Sequence, residues 1–318
     1  MTLKMNRRSF CRSIGVLIAS AGIPVVKAHS AEESPRSMSL SVGNYGMQSF
    51  KVEEAIRAIA KVGFDGLELT MMDGWDSAPK HLSGDRRQSV GRIIRDEGLV
   101  LNSLMEDLTP SFVDAEHQKT LDRLKLAAEL GQDLTPDRHP VIQTVLGGGI
   151  WNEKKNLYRD RVGDWLRVTQ SAQTILAIKP HRRGAMSQPA DAACIITELG
   201  SSPWLKMVYD YSHYAFRDLS IEETIKTAAP FTVQVAVKDA VMRGKEIEFA
   251  LPGEANTIDY AEILNRFAHA GYQKDVCCEV SSQVFRREGY DPVAALKASY
   301  SKINQAFESA KVARRRQS

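Results

Sequence analysis

Eight times in succession a short apolar run is followed by a stretch with helical spacing. That repeated β-then-α order constrains the fold more than any other feature of the chain. Ser39 to Gly43 opens the series. Val52, Ala55, Ile56, Ile59 and Ala60 then recur at helical spacing, and Gly63 stops them. Further apolar runs are Phe64 to Leu69 (with Glu68 inside it), Leu99 to Leu104, Val141 to Leu146 and Ile175 to Lys179. Leu205 to Asp210, Phe231 to Lys238 and Val276 to Val280 complete the set. Between them Arg86 to Glu97, His117 to Leu130, Leu157 to Ala172, Ala190 to Leu199, Ile221 to Ala229 and Ile258 to Ala270 read as helices. Pro292 to Ala310 is the last. Eight such units over about 280 residues predict a single (β/α)8 TIM barrel, with a doubly wound open sheet as the rival. No second domain and no internal sequence repeat is evident.

The first 31 residues stand apart. Asn6-Arg7-Arg8-Ser9-Phe10 is an arginine pair followed by a bulky apolar residue. Ile14 to Val26 is weakly apolar, too short and too rich in Gly, Ala and Ser for a stable membrane span. Ala28-His29-Ser30 has the small-x-small form of a cleavage site. Residues 1–31 are therefore read as a twin-arginine export signal and residues 32–318 as the barrel domain, which predicts an exported, periplasmic protein. The plainer alternative is a disordered basic terminus.

The signal changes the charge reading. The chain carries +3, but Lys4, Arg7, Arg8, Arg12 and Lys27 all precede the first acid, Glu32. The remainder is thus mildly acidic, which argues against a nucleic-acid partner. At 43% hydrophobic and 25% charged, the composition is that of a soluble globular protein without stable membrane insertion. The tail Arg314-Arg315-Arg316 reads as a solvated helix end. Cys277 and Cys278 are adjacent in an apolar run. Neighbours in a strand point to opposite faces, so no disulfide is expected between them.

In a barrel of this kind the chemistry gathers at the C-terminal ends of the strands. There the chain offers Asn44 and Tyr45, Glu68, Glu106 and Asp107, the triplet Gly147-Gly148-Gly149, and Lys179 with His181. Asp210 with His213, Lys238 with Asp239, and Glu279 follow. A barrel serving only structure would need few of these. The glycine triplet lacks the companions of a phosphate loop. Trp75, Trp151 and Tyr214 fall in loops at the same mouth, where aromatic faces either stack on sugar C–H surfaces or simply pack.

These residues resemble those of the xylose isomerase-like barrels, a family of sugar isomerases, sugar epimerases and an apurinic endonuclease branch. The likeness is carried by Gly66-Leu67-Glu68-Leu69, Tyr209-Asp210-Tyr211-Ser212-His213 and Val237-Lys238-Asp239. Pro252-Gly253-Glu254, Ile258-Asp259-Tyr260 and Glu279 complete it. The resemblance implies a carbohydrate substrate. It also implies one divalent metal (Mn, Mg, Zn or Co) held by a Glu on strand five, an Asp on strand six, a His on strand seven and a Glu on strand eight. Asp210 and Glu279 match two of these positions. Lys179 stands at the strand-five position and Ala236 at the strand-seven position.

An ammonium in the shell would repel a cation, and two carboxylates are a thin shell for Mg²⁺ or Mn²⁺. Lys179 between Asp210 and Glu279 would instead be neutralised by both, taking the metal's place and stabilising an enolate. The expectation is an exported sugar isomerase or epimerase that abstracts a proton next to a carbonyl, or a lyase on an oxidised sugar, with no cofactor. Lys179, His181, His213 and Glu279 are the candidate catalytic residues. Glu68, Arg182, Asp210, Lys238 and Glu254 are the candidate substrate contacts, and Arg182 with Arg183 could grip a carboxylate or phosphate. Two alternatives stay open: a non-catalytic sugar-binding barrel in which Lys179 is a structural ion pair, and a metal-dependent isomerase. The latter would use Asp210 and Glu279 with ligands drawn from Glu68, Glu106, His181 or His213. A Schiff-base lysine is disfavoured, because two adjacent carboxylates raise its pKa. The sugar and the oligomeric state are left open.

Overall fold

The computed structural model describes residues 37–315, so the expected export segment lies outside the described residues. In chain order the elements begin β1 (Ser37–Gly43), α1 (Val52–Val62), β2 (Gly66–Thr70), α2 (Gly84–Asp96), β3 (Val100–Glu106), α3 (Asp114–Leu134) and β4 (Val141–Thr144). They continue α4 (Trp151–Ser171), β5 (Leu176–Ile178), α5 (Pro189–Glu198), β6 (Leu205–Tyr209), α6 (Ile221–Ala228) and β7 (Thr232–Val237). The chain ends β8 (Asp239–Arg243), β9 (Glu246–Ala250), α7 (Tyr260–His269), β10 (Asp275–Cys278), α8 (Ser282–Phe285), α9 (Pro292–Ala310) and β11 (Ala313–Arg314).

β1 to β7 and β10 form one parallel sheet in sequence order, and β10 pairs back onto β1 to close it. This is a single (β/α)8 barrel, as the alternation predicts. Its strands are buried on both faces, which is why they read as continuous apolar runs. The helices bury one stripe each; in α1 that stripe is Val52, Ala55, Ile56 and Ile59.

The closing seam carries a polar clamp. Asp275, at the start of β10, accepts from Ser39 Oγ at 2.8 Å, Ser41 Oγ at 2.5 Å and Asn102 Nδ2 at 2.8 Å. Burial pushes its carboxyl up to about 7, against the pull of the two serines.

Three features depart from the sequence reading. A β-hairpin, β8–β9, is inserted after β7. The helices α3 and α4 begin earlier than expected, because their first turns are polar and carry no apolar stripe. Arg314 is not a solvated helix end. β11 pairs with the start of β1, and the guanidinium donates to Asp65 Oδ1 at 2.7 Å, Tyr300 Oη at 2.7 Å, Asn304 Oδ1 at 2.8 Å and Gly63 O at 2.9 Å. Cys277 and Cys278 are buried free thiols. No described helix is long and apolar enough to cross a membrane.

Candidate active site

Lys179 follows β5 directly, and its amide still donates to Thr144 O at 2.8 Å, so the barrel ladder holds its backbone. Asp210, Lys238 and Glu279 occupy the same place after β6, β7 and β10. The pairing of Cys278 with Val237 brings Glu279 level with Lys238, and Glu279 N donates to Val237 O at 3.0 Å.

The four side chains form a closed ring of alternating charge. Lys179 Nζ lies 3.0 Å from Asp210 Oδ2 and bonds Glu279 Oε2. Lys238 Nζ lies 2.5 Å from Asp210 Oδ2 and 2.9 Å from Glu279 Oε1. Each charge is thus flanked by two of opposite sign. Burial alone would lower the pKa of Lys179, but Glu279 and then Asp210 outweigh it and hold the ammonium above its usual range. Burial would raise Asp210, yet Lys238 and Lys179 drive it well below the carboxylate range. The same two lysines lower Glu279 to about 2 against its burial.

The two ammonium groups are not equivalent. An ammonium has three N–H donors. Lys238 spends its three on Asp210, Glu279 and His213 Nε2, the last at 3.4 Å. Lys179 meets two acceptors among the described residues, which leaves one N–H for a ligand. Both lysines line a cavity of about 230 Å³ at the mouth of the barrel, together with His181, His213, Glu279, Tyr45 and Phe249. Of the ring, Glu279 keeps the most exposed side chain, at 12%.

The histidine rings lie 4.1 Å apart. His213 Nε2 faces Asp210 Oδ2 at 3.4 Å, and its Nδ1 is buried with no partner among the described residues. Desolvation, then Lys238, holds the His213 pKa well below its ordinary value. Desolvation, Lys238 and Lys179 bring His181 down to about 4. Both rings are therefore neutral at pH 7, and the one ring nitrogen with which His213 could accept a proton already faces Lys238.

The other predicted residues divide between the cavity lining and the surrounding structure. Glu68 is buried below the cavity, accepting from Ser103 Oγ at 2.6 Å and Gln143 Nε2 at 3.1 Å; it orients Gln143, which does line the cavity. Glu106 lines the cavity and is paired with Arg123 at 2.6 Å, with Asp107 beside it on the lining. Arg182 donates to Ala215 O, and Arg183 rather than Arg182 lines the cavity. Glu254 is exposed and pairs with Arg287 at 2.6 Å, away from the cavity. Asn44 ties Thr70 N to Ser77, and Asp239 accepts from Ala255 N and Asn256 N, so both shape loops. Gly147, at φ +82, offers its carbonyl to Ala185 N and Tyr158 Oη, so the triplet is tied to the loop after β5 and to α4. Trp75 stacks on Tyr45 at 5.0 Å, Tyr214 is fully buried and Trp151 opens α4.

Sequence reasoning missed Phe249, Gln143 and the run Ser281-Ser282-Gln283 on the lining. A polar Gln143 inside an apolar run was a readable signal, and so was the position of the serines just past Glu279. Lys238, expected as a substrate contact, lines the cavity, and its ammonium is also the second cation of the ring.

A divalent metal does not fit this donor set. Lys179 Nζ and Lys238 Nζ each touch both carboxylates that would hold it. Ala236 pairs with Cys277, one layer below Lys238 and Glu279, and offers no donor atom. Glu68 and Glu106 are turned to other partners, and no described group of three His, Cys, Asp or Glu side chains is placed to hold a metal.

Residues 56–303 match the profile of the xylose isomerase-like TIM barrel family. Among solved structures, the chain is similar to the 3-keto-D-glucoside 4-epimerase of E. coli, with 16% identity and a TM-score of 0.67 over 85% of this chain and 100% of that one. It is similar to an L-ribulose 3-epimerase, with 17% identity and a TM-score of 0.69 over 86% and 96%. A xylose isomerase-like TIM barrel protein from Mycobacterium smegmatis, in complex with magnesium, has 18% identity and a TM-score of 0.63 over 89% and 99%. At these identities the likeness establishes the fold alone. No match was found among curated protein sequences.

Proposed function

The chain belongs to the xylose isomerase-like TIM barrel family, and from that premise we propose that it is a sugar isomerase- or epimerase-like enzyme that works with an ammonium in place of a metal. The observation that carries the reading is Lys179 Nζ between Asp210 and Glu279, with one N–H left for a ligand. A carbonyl oxygen accepting that N–H becomes polarised, and the carbon beside it becomes more acidic. A neutral His181 takes the proton, with His213, whose Nε2 faces Lys238, packed against it. Lys179 then holds the oxyanion, in a site where water is largely excluded and a fixed charge acts strongly. Protonation of the same carbon from the opposite face, by a donor other than the base, gives an epimer; return of the proton to the former carbonyl carbon, with the neighbouring hydroxyl proton passing to the first oxygen, gives an isomer. Glu279, tied to both lysines and held at about 2, is a weaker base than His181 at about 4. Tyr45 and Phe249 provide apolar walls for sugar C–H surfaces.

Elemental analysis beside a screen of keto-sugars tests this reading. The expected result is well under one equivalent of divalent metal and turnover that resists chelator. Stoichiometric Mn, Mg, Zn or Co, with chelator-sensitive turnover, would instead support a metal-dependent isomerase. One observation favours a second reading, a non-catalytic sugar-binding barrel: the four charges of the ring satisfy one another without a substrate. Tight sugar binding without turnover across the panel is its signature. We further propose that residues 1–31 direct export by the twin-arginine route, on the strength of Arg7-Arg8 and the weakly apolar run behind them.

A further inference from the structure

The wall between the loops after β5 and β6 carries three guanidinium groups, none of which pairs directly with a carboxylate among the described residues, although Asp210 acts on Arg182 from a distance. Arg182 and Arg183 follow Lys179 after β5, and Arg217 lies beyond the turn Tyr211–His213 that follows β6. Arg182 Nη2 donates to Ala215 O at 2.6 Å. Arg217 donates to Ser187 O at 2.7 Å and to Ser187 Oγ at 3.1 Å. Each loop thus grips the other through an arginine. Those oxygens satisfy N–H groups but cancel no charge. Among the described residues none of the three arginines pairs with a carboxylate.

Two further observations mark the place. Arg182 Nη1 is buried with no partner among the described residues, in a guanidinium whose pKa is lowered by burial and then by Arg217 and Arg183. A buried donor left unmet beside like charges is costly in an unliganded protein. The backbone is strained as well: Phe216 at φ +61 and Asp218 at φ +53 flank Arg217 in the left-handed region, which non-glycine residues seldom enter. Arg183 reaches from this wall onto the lining of the active-site cavity.

We propose that Arg182, Arg183 and Arg217 form an anion subsite at the edge of the cavity, which takes a carboxylate or phosphate group carried by the substrate. The proposal rests on the reading that the cavity takes a carbohydrate, and it makes the substrate an acidic or phosphorylated sugar derivative. Guanidinium forks match the paired oxygens of both groups, and three of them supply the charge that either needs.

The test is calorimetric titration of the full chain with D-glucose, D-glucuronate, D-glucose 6-phosphate and inorganic phosphate. The same titrations are run on the double variant Arg183→Gln/Arg217→Gln. At least one anionic sugar should bind about 10–100-fold more tightly than glucose, and the gain should shrink with salt. That gain should vanish in the double variant and persist in Arg92→Gln, an exposed control on α2. A preference for glucuronate identifies a carboxylate, and a preference for glucose 6-phosphate a phosphate. Should the double variant misfold, Arg183→Gln alone serves, because the Arg183 side chain holds no loop. Anionic sugars and phosphate no better than glucose, or a gain that survives in the variants, overturns the subsite. Keto-sugar turnover without any anionic gain sinks the subsite and leaves the active-site reading standing. Phosphate bound through the arginines without sugar turnover does the reverse.

Discussion

At the scale of single residues, the account turns on which side chain keeps a free donor. Lys179→Met preserves the stem and removes the cation. Asp210 and Glu279 then have Lys238 alone between them, and the pKa of both rises. Turnover should fall by about 10²–10³-fold, the usual cost of losing one electrostatic stabiliser. Removing one partner of a buried ion pair can also cost about 3–5 kcal/mol of stability, so thermal melts belong beside the kinetics. The double variant Lys179→Glu/Ala236→His restores the family's ligand types, but Lys238 still touches both carboxylates, so isothermal titration with Mn²⁺ should show a gain in affinity only when Lys238 is removed as well. The pH profile is a separate check. His181 at about 4 is a base above that pH and is protonated below it. The acid limb of kcat/KM should therefore lie below pH 5, and a limb near 6.5 would show an unperturbed imidazole acting instead. Lysine at the end of an apolar run was legible as an oddity in the sequence. That Lys238 stands level with Glu279 was not, because the stagger between neighbouring strands decides it, and stagger leaves no mark in the order of residues.

At the scale of elements, the polar ends of the strands supply the site and the inserted hairpin completes it. The β8–β9 hairpin brings Phe249 to within 5.0 Å of both Lys238 Nζ and the His213 ring centroid. Its strands are short, and exposed residues such as Met242 and Arg243 hide it from a search for buried runs. The barrel strands were legible because burial on both faces makes them uniformly apolar. The seam between β1 and β10 makes its own prediction. Asp275→Ala strands the donors of Ser39, Ser41 and Asn102, each worth about 1–3 kcal/mol when buried and unmet, so chemical denaturation should show a marked loss. The folded-state pKa of Asp275 is raised, to about 7 from the ordinary 3.8. Its protonated form is the one that suits the fold. This contribution to stability is present in full below about pH 4 and is lost as the pH rises towards 7. Asp275→Asn, which cannot ionise, should flatten that decline when wild type and variant are unfolded in urea across pH 4 to 8.

At the scale of the whole molecule, eight strand-and-helix units close into one barrel, and the count of units in the sequence was enough to foresee it. The last turn of the chain was not legible. A basic tail normally seeks water, and it takes Asp65 and Gly63, far away in sequence, with Tyr300 and Asn304 to make Arg314 an internal clamp. Localisation is tested on the full precursor. Replacing Arg7 and Arg8 by lysine should leave it in the cytoplasm on cell fractionation, and unchanged export would refute the reading of residues 1–31. The central claim is that an ammonium in the metal's place supports proton abstraction beside a carbonyl. The most direct measurement is NMR of deuterium exchange at that carbon, in D2O, for a panel of keto-sugars with chelator-treated protein. The account predicts exchange by the wild type at a rate unchanged by chelator, and exchange about 10²–10³-fold slower in folded Lys179→Met. Exchange that requires added metal, or that proceeds at the wild-type rate in folded Lys179→Met, would contradict it.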